Sequence, residues 1–359
     1  MCRHTISPIW CAALLLFACS SDLDSPESAP HLEQSQASVL PETAVFAASK
    51  RPAEVKRGEI ASPKAKIERP AVSAMAPEPP QLESEDRGEL RVVTGFERPS
   101  AVLYDAHADC YLVANLGLDS DGVAQGYISR VNPEGEVEAE RWIDGANEST
   151  PLRSPRAMAI IKSRLYVADG GVVRVYDRKS ALRRGVINVP GATQISGLTL
   201  GKGGALIASD AGYHPNGRPS RSDAVFRINR AGRVSPLFRS SVLGHPAAVQ
   251  RVGAMVWIAT AGSGKVYGLA PDGGLKQGPD IDEGRLSGIV EIDPGELVVT
   301  SRVAQGVYRG FPATGFSYVG GGIAEPGHPA WDPSRRRLLV PSEESGELRV
   351  LYLDKAKGN

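Results

Sequence analysis

From Glu89 onward the apolar residues of this chain come in short runs that repeat. Three or four apolar residues are closed by a small polar one at Tyr111–Asn115, Leu165–Asp169, Leu206–Asp210, Val256–Thr260, Leu297–Ser301 and Leu338–Ser342. The first residues of these runs lie 54, 41, 50, 41 and 41 positions apart. Upstream of each is a second apolar stretch, as at Ala101–Tyr104, Ala157–Ile160 and Gly197–Leu200. Downstream come alternating segments such as Tyr127–Val131 and Val172–Tyr176, separated by turn sequences such as Asn132-Pro133-Glu134-Gly135. A unit of four short strands repeated at this spacing is a propeller blade, and no long 3.6-residue period competes with it. Six units predict an all-β, six-bladed β-propeller over residues 89–359.

The ends of that domain fit together. The last unit supplies three strands, finishing at Glu347–Leu353, while Glu89–Val93 is an unassigned strand at the other end. Pairing the two predicts a closed ring and removes an open sheet edge. The two long spacings predict insertions at Gly117–Gln125, Ala146–Ser154 and Tyr213–Ser222. If the last follows the strand ending at Asp210, it overhangs one face of the ring.

Residues 1–88 follow different rules. Arg3 and His4 precede the apolar run Ile9–Ala18, which is too short to remain as a membrane-spanning helix. A basic start followed by a short apolar core is the pattern of a signal peptide, expected over 1–18. Leu16-Phe17-Ala18-Cys19 resembles the lipobox of bacterial lipoproteins. That resemblance implies cleavage before Cys19 and lipidation of its thiol. Ser20 after the cysteine resembles an outer-membrane sorting signal, so the expected location is the bacterial cell envelope, lipid-anchored, at the outer membrane. Residues 19–88 are rich in Pro, Ala, Ser and Glu without apolar periodicity, and predict a disordered tether.

Charge and cysteine usage narrow the partners. The chain has 41 basic and 41 acidic residues, a balance that offers no field for nucleic acid. The expected partners are an envelope protein, a glycan or a small molecule at one polar face, and the membrane through the lipid. Cys2, Cys11 and Cys19 lie in the leader region, which leaves Cys110 alone in the repeat region, in an apparent strand. It is expected to be a small buried apolar group rather than half of a disulfide.

Candidate chemistry collects where strands meet one face. Antiparallel pairing puts the end of each second strand beside the start of the first. Asn115, Asp169, Asp210, Thr260, Ser301 and Ser342 mark the ends, and Ser100, Arg156, Ser196, His245, Ser287 and His328 mark the starts. A ring of convergent polar groups at a tunnel mouth is a ligand site. The candidates are Asn115, Asp169, Asp210, Arg156, Ser196, His245 and His328, with the alternative that the aspartates only cap turns. His245 and His328 share the tetrapeptide Gly-His-Pro-Ala, 83 residues apart. Each is either a ligand contact or general base, or simply the polar residue before a strand-initiating proline. Ala261–Val266 and Asp119–Gly122 look like a phosphate loop and a calcium loop, but both lack required residues and predict turns.

The six repeats, taken together, resemble the propellers of the senescence-marker-protein/gluconolactonase family and the related NHL-repeat propellers. The resemblance implies a scaffold shared by many functions. It also implies a divalent metal held by acid and amide side chains at first-strand starts. The matching positions here are Pro99 or Ser100, Arg156, Ser196 and Ala247, none a carboxylate. Glu97 and Glu325 lie a few residues from strand starts, which leaves a displaced site open. The expectation is a non-catalytic ligand- or protein-binding module with no cofactor. The alternative is a metal-dependent hydrolase of the lactonase type, with a divalent metal such as calcium.

Overall fold

The computed structural model describes residues 91–281 and 284–353. The expected signal peptide, Cys19, the tether and the Glu89-Leu90 end of the closing strand lie outside the described residues. The described chain forms six antiparallel sheets of four strands, one per predicted unit. The inner strands are Pro99–Asp105, Pro155–Ile161, Ile195–Leu200, Pro246–Val252, Leu286–Asp293 and Ala330–Asp332, which define blades 1 to 6.

Burial grades outward through each blade. The second strand of blade 1, Cys110–Asn115, is buried at every position, whereas its outer strand, Val137–Asp144, is largely exposed or half-buried. A strand buried on both faces reads as a continuous apolar run, and one covered on a single face alternates. The repeated phrase was therefore the mark of each blade's second strand. Cys110 is 2% exposed, and burial pushes its thiol pKa up to about 11.

The core is divided rather than central. Its six hydrophobic clusters each join two neighbouring blades, as where Leu112 and Ile128 of blade 1 meet Leu165 and Tyr176 of blade 2. Closure follows the predicted route. Arg91–Thr94 pairs with Glu347–Tyr352 in the register Arg91↔Val350 to Thr94↔Glu347, which makes an N-terminal strand the outer edge of blade 6. Val93 and Phe96 then enter the cluster between blades 6 and 1.

One irregularity recurs and positions the site. In blades 1 to 5 the inner strand has a register shift after its first paired residue, leaving Ser100, Arg156, Ser196, Ala247 and Ser287 as the extra residues. A bulge bends the strand and re-aims the side chain at the extra position. Blade 6 has Gly327 at the equivalent place, after the Pro326↔Ser342 bridge. In blades 1 to 5 the residue following the bulge is Ala or Gly, because neighbouring inner strands approach closely; a Cβ on Gly288 would lie 2.3 Å from Pro329, and in blade 6 the position is His328.

Candidate functional site at the tunnel mouth

The six bulge positions meet. Ser100, Arg156, Ser196, Ala247, Ser287 and Gly327 all line one cavity of about 350 Å³ at the end of the tunnel where the inner strands begin. A second cavity of about 510 Å³ occupies the other end, walled by residues of all six inner strands such as Val102, Ala159 and Ile289. His328 lines both. Pro329 has no N–H to donate, and after the isolated Pro326↔Ser342 bridge the continuous ladder of this inner strand resumes only at Ala330. The His328 backbone bonds blade 1 instead: its N–H donates to Ser100 O at 2.9 Å, and its carbonyl accepts from Val102 N at 3.1 Å. The imidazole crosses to the other side of the tunnel, with Nε2 3.4 Å from Ala247 O. Burial lowers its pKa to about 4, so the ring is neutral at neutral pH.

Around the ring the bulge residues alternate in role. The hydroxyls of Ser100, Ser196 and Ser287 donate to the carbonyls of Pro155, Pro246 and Pro326, each at the start of the following blade. The intervening positions hold Arg156, Ala247 and Gly327. The serines are thus spent on clamping blades together, and Arg156 alone extends a long polar side chain from this ring. Arg156 makes no hydrogen bond or ion pair among the described residues, and its Nε is fully enclosed without a partner. Burial pushes its pKa below the ordinary arginine value; Glu343, Arg302 and Arg98 lie within electrostatic reach across the mouth.

Those acids have partners of their own. Glu343 accepts from Arg98 at 2.6 Å and from Arg302 at 2.9 Å, while Glu325 pairs with Arg302. Burial opposes ionisation of Glu343, but Arg302, Arg98 and Arg156 outweigh it and hold its pKa below the usual carboxylate value. Glu97 lies elsewhere, accepting from Leu118 N at 3.0 Å. No group of three or more His, Cys, Asp or Glu suited to a metal occurs among the described residues. Hard cations take several oxygen ligands. A mouth of described side chains whose acids are occupied and whose extended group is a guanidinium does not fit one.

The sequence-predicted residues separate into two layers. Arg156, Ser196 and His328 line the mouth. The second-strand ends sit one layer out, and the two aspartates lie under the loop leading into the inner strand of their own blade. Asp169 accepts from Arg153 N at 3.1 Å, from Ser154 N at 2.6 Å and from Arg174 Nε. Asp210 accepts from Gln194 N at 2.8 Å, and from Thr193 N and Gly212 N at 3.2 Å. Asn115 is wholly buried and donates to Val113 O and Ser129 Oγ, both at 3.0 Å. The two Gly-His-Pro-Ala copies are out of register by three residues. His245 precedes the first paired residue, Pro246, while His328 follows the corresponding Pro326 by two.

His245 supports the mouth from behind. Its φ is +62°, its Nδ1 lies 2.8 Å from Ala211 O, and its ring stacks on Tyr213 at 4.1 Å. Arg98, Arg285 and Glu325 occupy the same place in blades 1, 5 and 6 and are also left-handed, so unusual backbone collects at this rim. Tyr213, His214, Pro215 and Gly217, from the predicted insertion after Asp210, form part of the cavity wall. Pattern reading missed Arg302 and Glu343. Both stand one residue beyond a second-strand end, immediately after Ser301 and Ser342, so extending the ring by one position would have found them.

No protein-family model matches the sequence, and no curated protein matches it. Solved structures do. A gluconolactonase from Xanthomonas campestris, important in glucose secondary metabolic pathways, aligns with a TM-score of 0.58 at 15% identity, over 74% of this chain and 91% of that one. A putative gluconolactonase aligns at 0.57 and 14% identity, over 75% and 96%. A virginiamycin B lyase from Staphylococcus aureus aligns at 0.53 and 12% identity, over 74% and 99%. The fold is a gluconolactonase-like propeller. At these identities the likeness is one of fold, and the chemistry has to be read from the mouth itself.

Proposed function

We propose that this propeller is a non-catalytic binding module whose tunnel mouth receives a ligand, carried on an envelope lipoprotein. The observation behind this reading is the fate of the acids: Glu325 and Glu343, the carboxylates beside the mouth, are both held by arginines. A metal-dependent lactonase needs carboxylate or amide oxygens free to hold a cation that polarises the substrate carbonyl. The gluconolactonases among its structural neighbours support the hydrolase alternative through the scaffold, and the donor set weighs against it. In this reading the tether 19–88 connects the head to a lipid on Cys19, supported by Leu16-Phe17-Ala18-Cys19.

Two measurements test it. The purified full chain, supplied in turn with calcium, zinc and manganese, is expected to leave sugar lactones hydrolysing at the buffer rate; metal-dependent turnover abolished by chelation would overturn the binding-module reading. In cells, the wild-type protein is expected to enter the detergent phase and Cys19→Ala the aqueous phase. Identical partitioning of the two would remove the anchor.

A further inference from the structure

The balanced charge of the whole chain conceals a segregated one. Residues 99–154, which build blade 1 and the loop after it, carry 10 acidic and 3 basic side chains. Residues 155–239, which build blades 2 and 3, carry 4 acidic and 15 basic. Burial sharpens the contrast: between 155 and 239, 12 of the cations are exposed and none of the acids is. Of those 12, only Arg184 has an ion-pair partner among the described residues, Asp177 at 3.0 Å. Exposed charges of one sign repel one another and do nothing for the fold.

Topology collects most of these cations on one face. The inner strands of blades 2 and 3 end at Ile161 and Leu200, away from the mouth, and four hairpins turn on that side. Lys162, Lys179, Arg183, Lys202, Arg230 and Arg233 stand in or beside those hairpins. Arg164, Arg184 and Arg230 flank a cleft of about 230 Å³ between the two blades. Leu182 and Leu200, at the same turns, are 56% and 47% exposed. Arg91, where the closing strand begins, pairs with Val350 toward this same face. The expected tether therefore joins the head on the side of the cations.

We propose that this face of blades 2 and 3 docks on an anionic phospholipid surface. Cations spread over four hairpins do not converge on one small anion; they match a plane that presents many anionic headgroups. The cleft between the blades admits one phosphate against arginine forks, which pair with phosphate oxygens through parallel N–H···O bonds. Leu182 and Leu200 supply the apolar contact that an interfacial surface buries at the headgroup boundary and that a soluble polyanion leaves unused. Blade 1 carries the exposed acids Glu134 and Glu136 at its own turn on this side, so an anionic surface repels it. The head therefore tilts onto blades 2 and 3, and the mouth opens away from the lipid. A lipid on Cys19 would bring the head to the membrane, but the patch is independent of that anchor and of what the mouth binds.

The test uses the full chain carrying Cys19→Ala, which cannot be acylated, and co-sedimentation with vesicles. One set is phosphatidylcholine alone; the other is equal parts phosphatidylcholine and phosphatidylglycerol. Binding is expected to the mixed vesicles in preference to the neutral ones, and to weaken as salt is raised. Neutralising Lys179, Arg183, Lys202 and Arg233 together, each to Gln, should weaken it by about a hundredfold or more, at roughly fivefold per cation. Lys179→Gln and Lys202→Gln alone, each about fivefold weaker, decide the matter if the fourfold variant does not fold. Arg218→Gln with Arg221→Gln and Arg239→Gln removes exposed cations from the mouth side of the same blades and should leave binding within about threefold. Leu182→Ser with Leu200→Ser should weaken binding to the vesicles but not to heparin. Equal binding to the two vesicle types would overturn the proposal, as would equal losses from the two faces. Vesicle binding indifferent to the leucines, with heparin bound more tightly, would replace the lipid by an acidic glycan. Lactone turnover, or Cys19→Ala partitioning like wild type, would remove the readings of the mouth and the anchor while leaving this preference for phosphatidylglycerol in place.

Discussion

Tyr111 of blade 1 donates its hydroxyl to the carboxylate of Asp332 of blade 6 at 2.8 Å, and both side chains are buried from solvent. They stand 221 residues apart in sequence and meet only because the ring closes. Asp332 also accepts from Ser334 N at 3.0 Å and Arg335 N at 3.2 Å, and it pairs with Arg335 Nη1 at 3.0 Å. The seam between first and last blades is therefore polar at its centre, inside a cluster that holds Val113, Leu339 and Leu348.

Tyr111→Phe tests the seam with little change of shape. Removing one hydrogen bond to a buried charged acceptor should cost about 2 kcal/mol of unfolding free energy. Urea titration of the full chain measures this. A midpoint equal to wild type would mean that the bond contributes nothing to closure.

The closing strand carries more. Deleting residues 20–85 leaves it whole, whereas deleting residues 20–96 removes Val93 and Phe96, each 7% exposed, along with the pairing to Glu347–Tyr352. Burial of two such side chains contributes roughly 3–6 kcal/mol, and the deletion also frees a sheet edge for aggregation. The longer truncation should therefore melt well below the shorter one or precipitate. Equal thermal midpoints would rule out this role for the strand.

The contrast between these strands and the mouth shows what a sequence makes legible. Blade number and closure were readable because burial on both faces forces every second strand into the same apolar phrase, closed by one polar residue. The ring of polar ends was readable too, but not its depth. Asp169 and Arg156 look alike as polar residues bounding an apolar strand, yet one lies beneath a loop and the other in the tunnel. The difference arises from the bulge that turns Arg156 inward, a backbone event that leaves no compositional mark. The shared Gly-His-Pro-Ala misleads for a related reason. Pro246 begins its strand's pairing, whereas in blade 6 Pro326 has already done so before His328, and the identical tetrapeptide falls three positions deeper.

Asp169 and Asp210 should therefore affect stability rather than ligand affinity. Asp210→Asn weakens a carboxylate that accepts three backbone N–H groups, at a cost of about 1–2 kcal/mol. Asp169→Asn also leaves Arg174 without its buried partner, so its loss should be larger, about 3 kcal/mol. Urea titration of both variants measures these losses, and midpoints equal to wild type would mean that neither carboxylate holds its loop.

His328 provides a pH signature at the tunnel floor. Burial lowers its pKa from the ordinary 6.5 to about 4 in the folded protein. Between those values the unfolded chain binds the proton and the folded chain does not, so stability rises with pH across this window. The contribution is fully present above about pH 6.5, declines as the pH falls, and is gone below about pH 4. A separation of this size corresponds to about 3 kcal/mol at most, reduced in so far as water in the tunnel reaches the ring. His328→Gln keeps a side chain able to bond Ala247 O but has nothing to protonate. Urea midpoints taken from pH 4 to 7 should fall less steeply toward acid for His328→Gln than for wild type, with the curves diverging below pH 6.5. Parallel curves would mean that the imidazole is protonated in the folded tunnel as easily as in water.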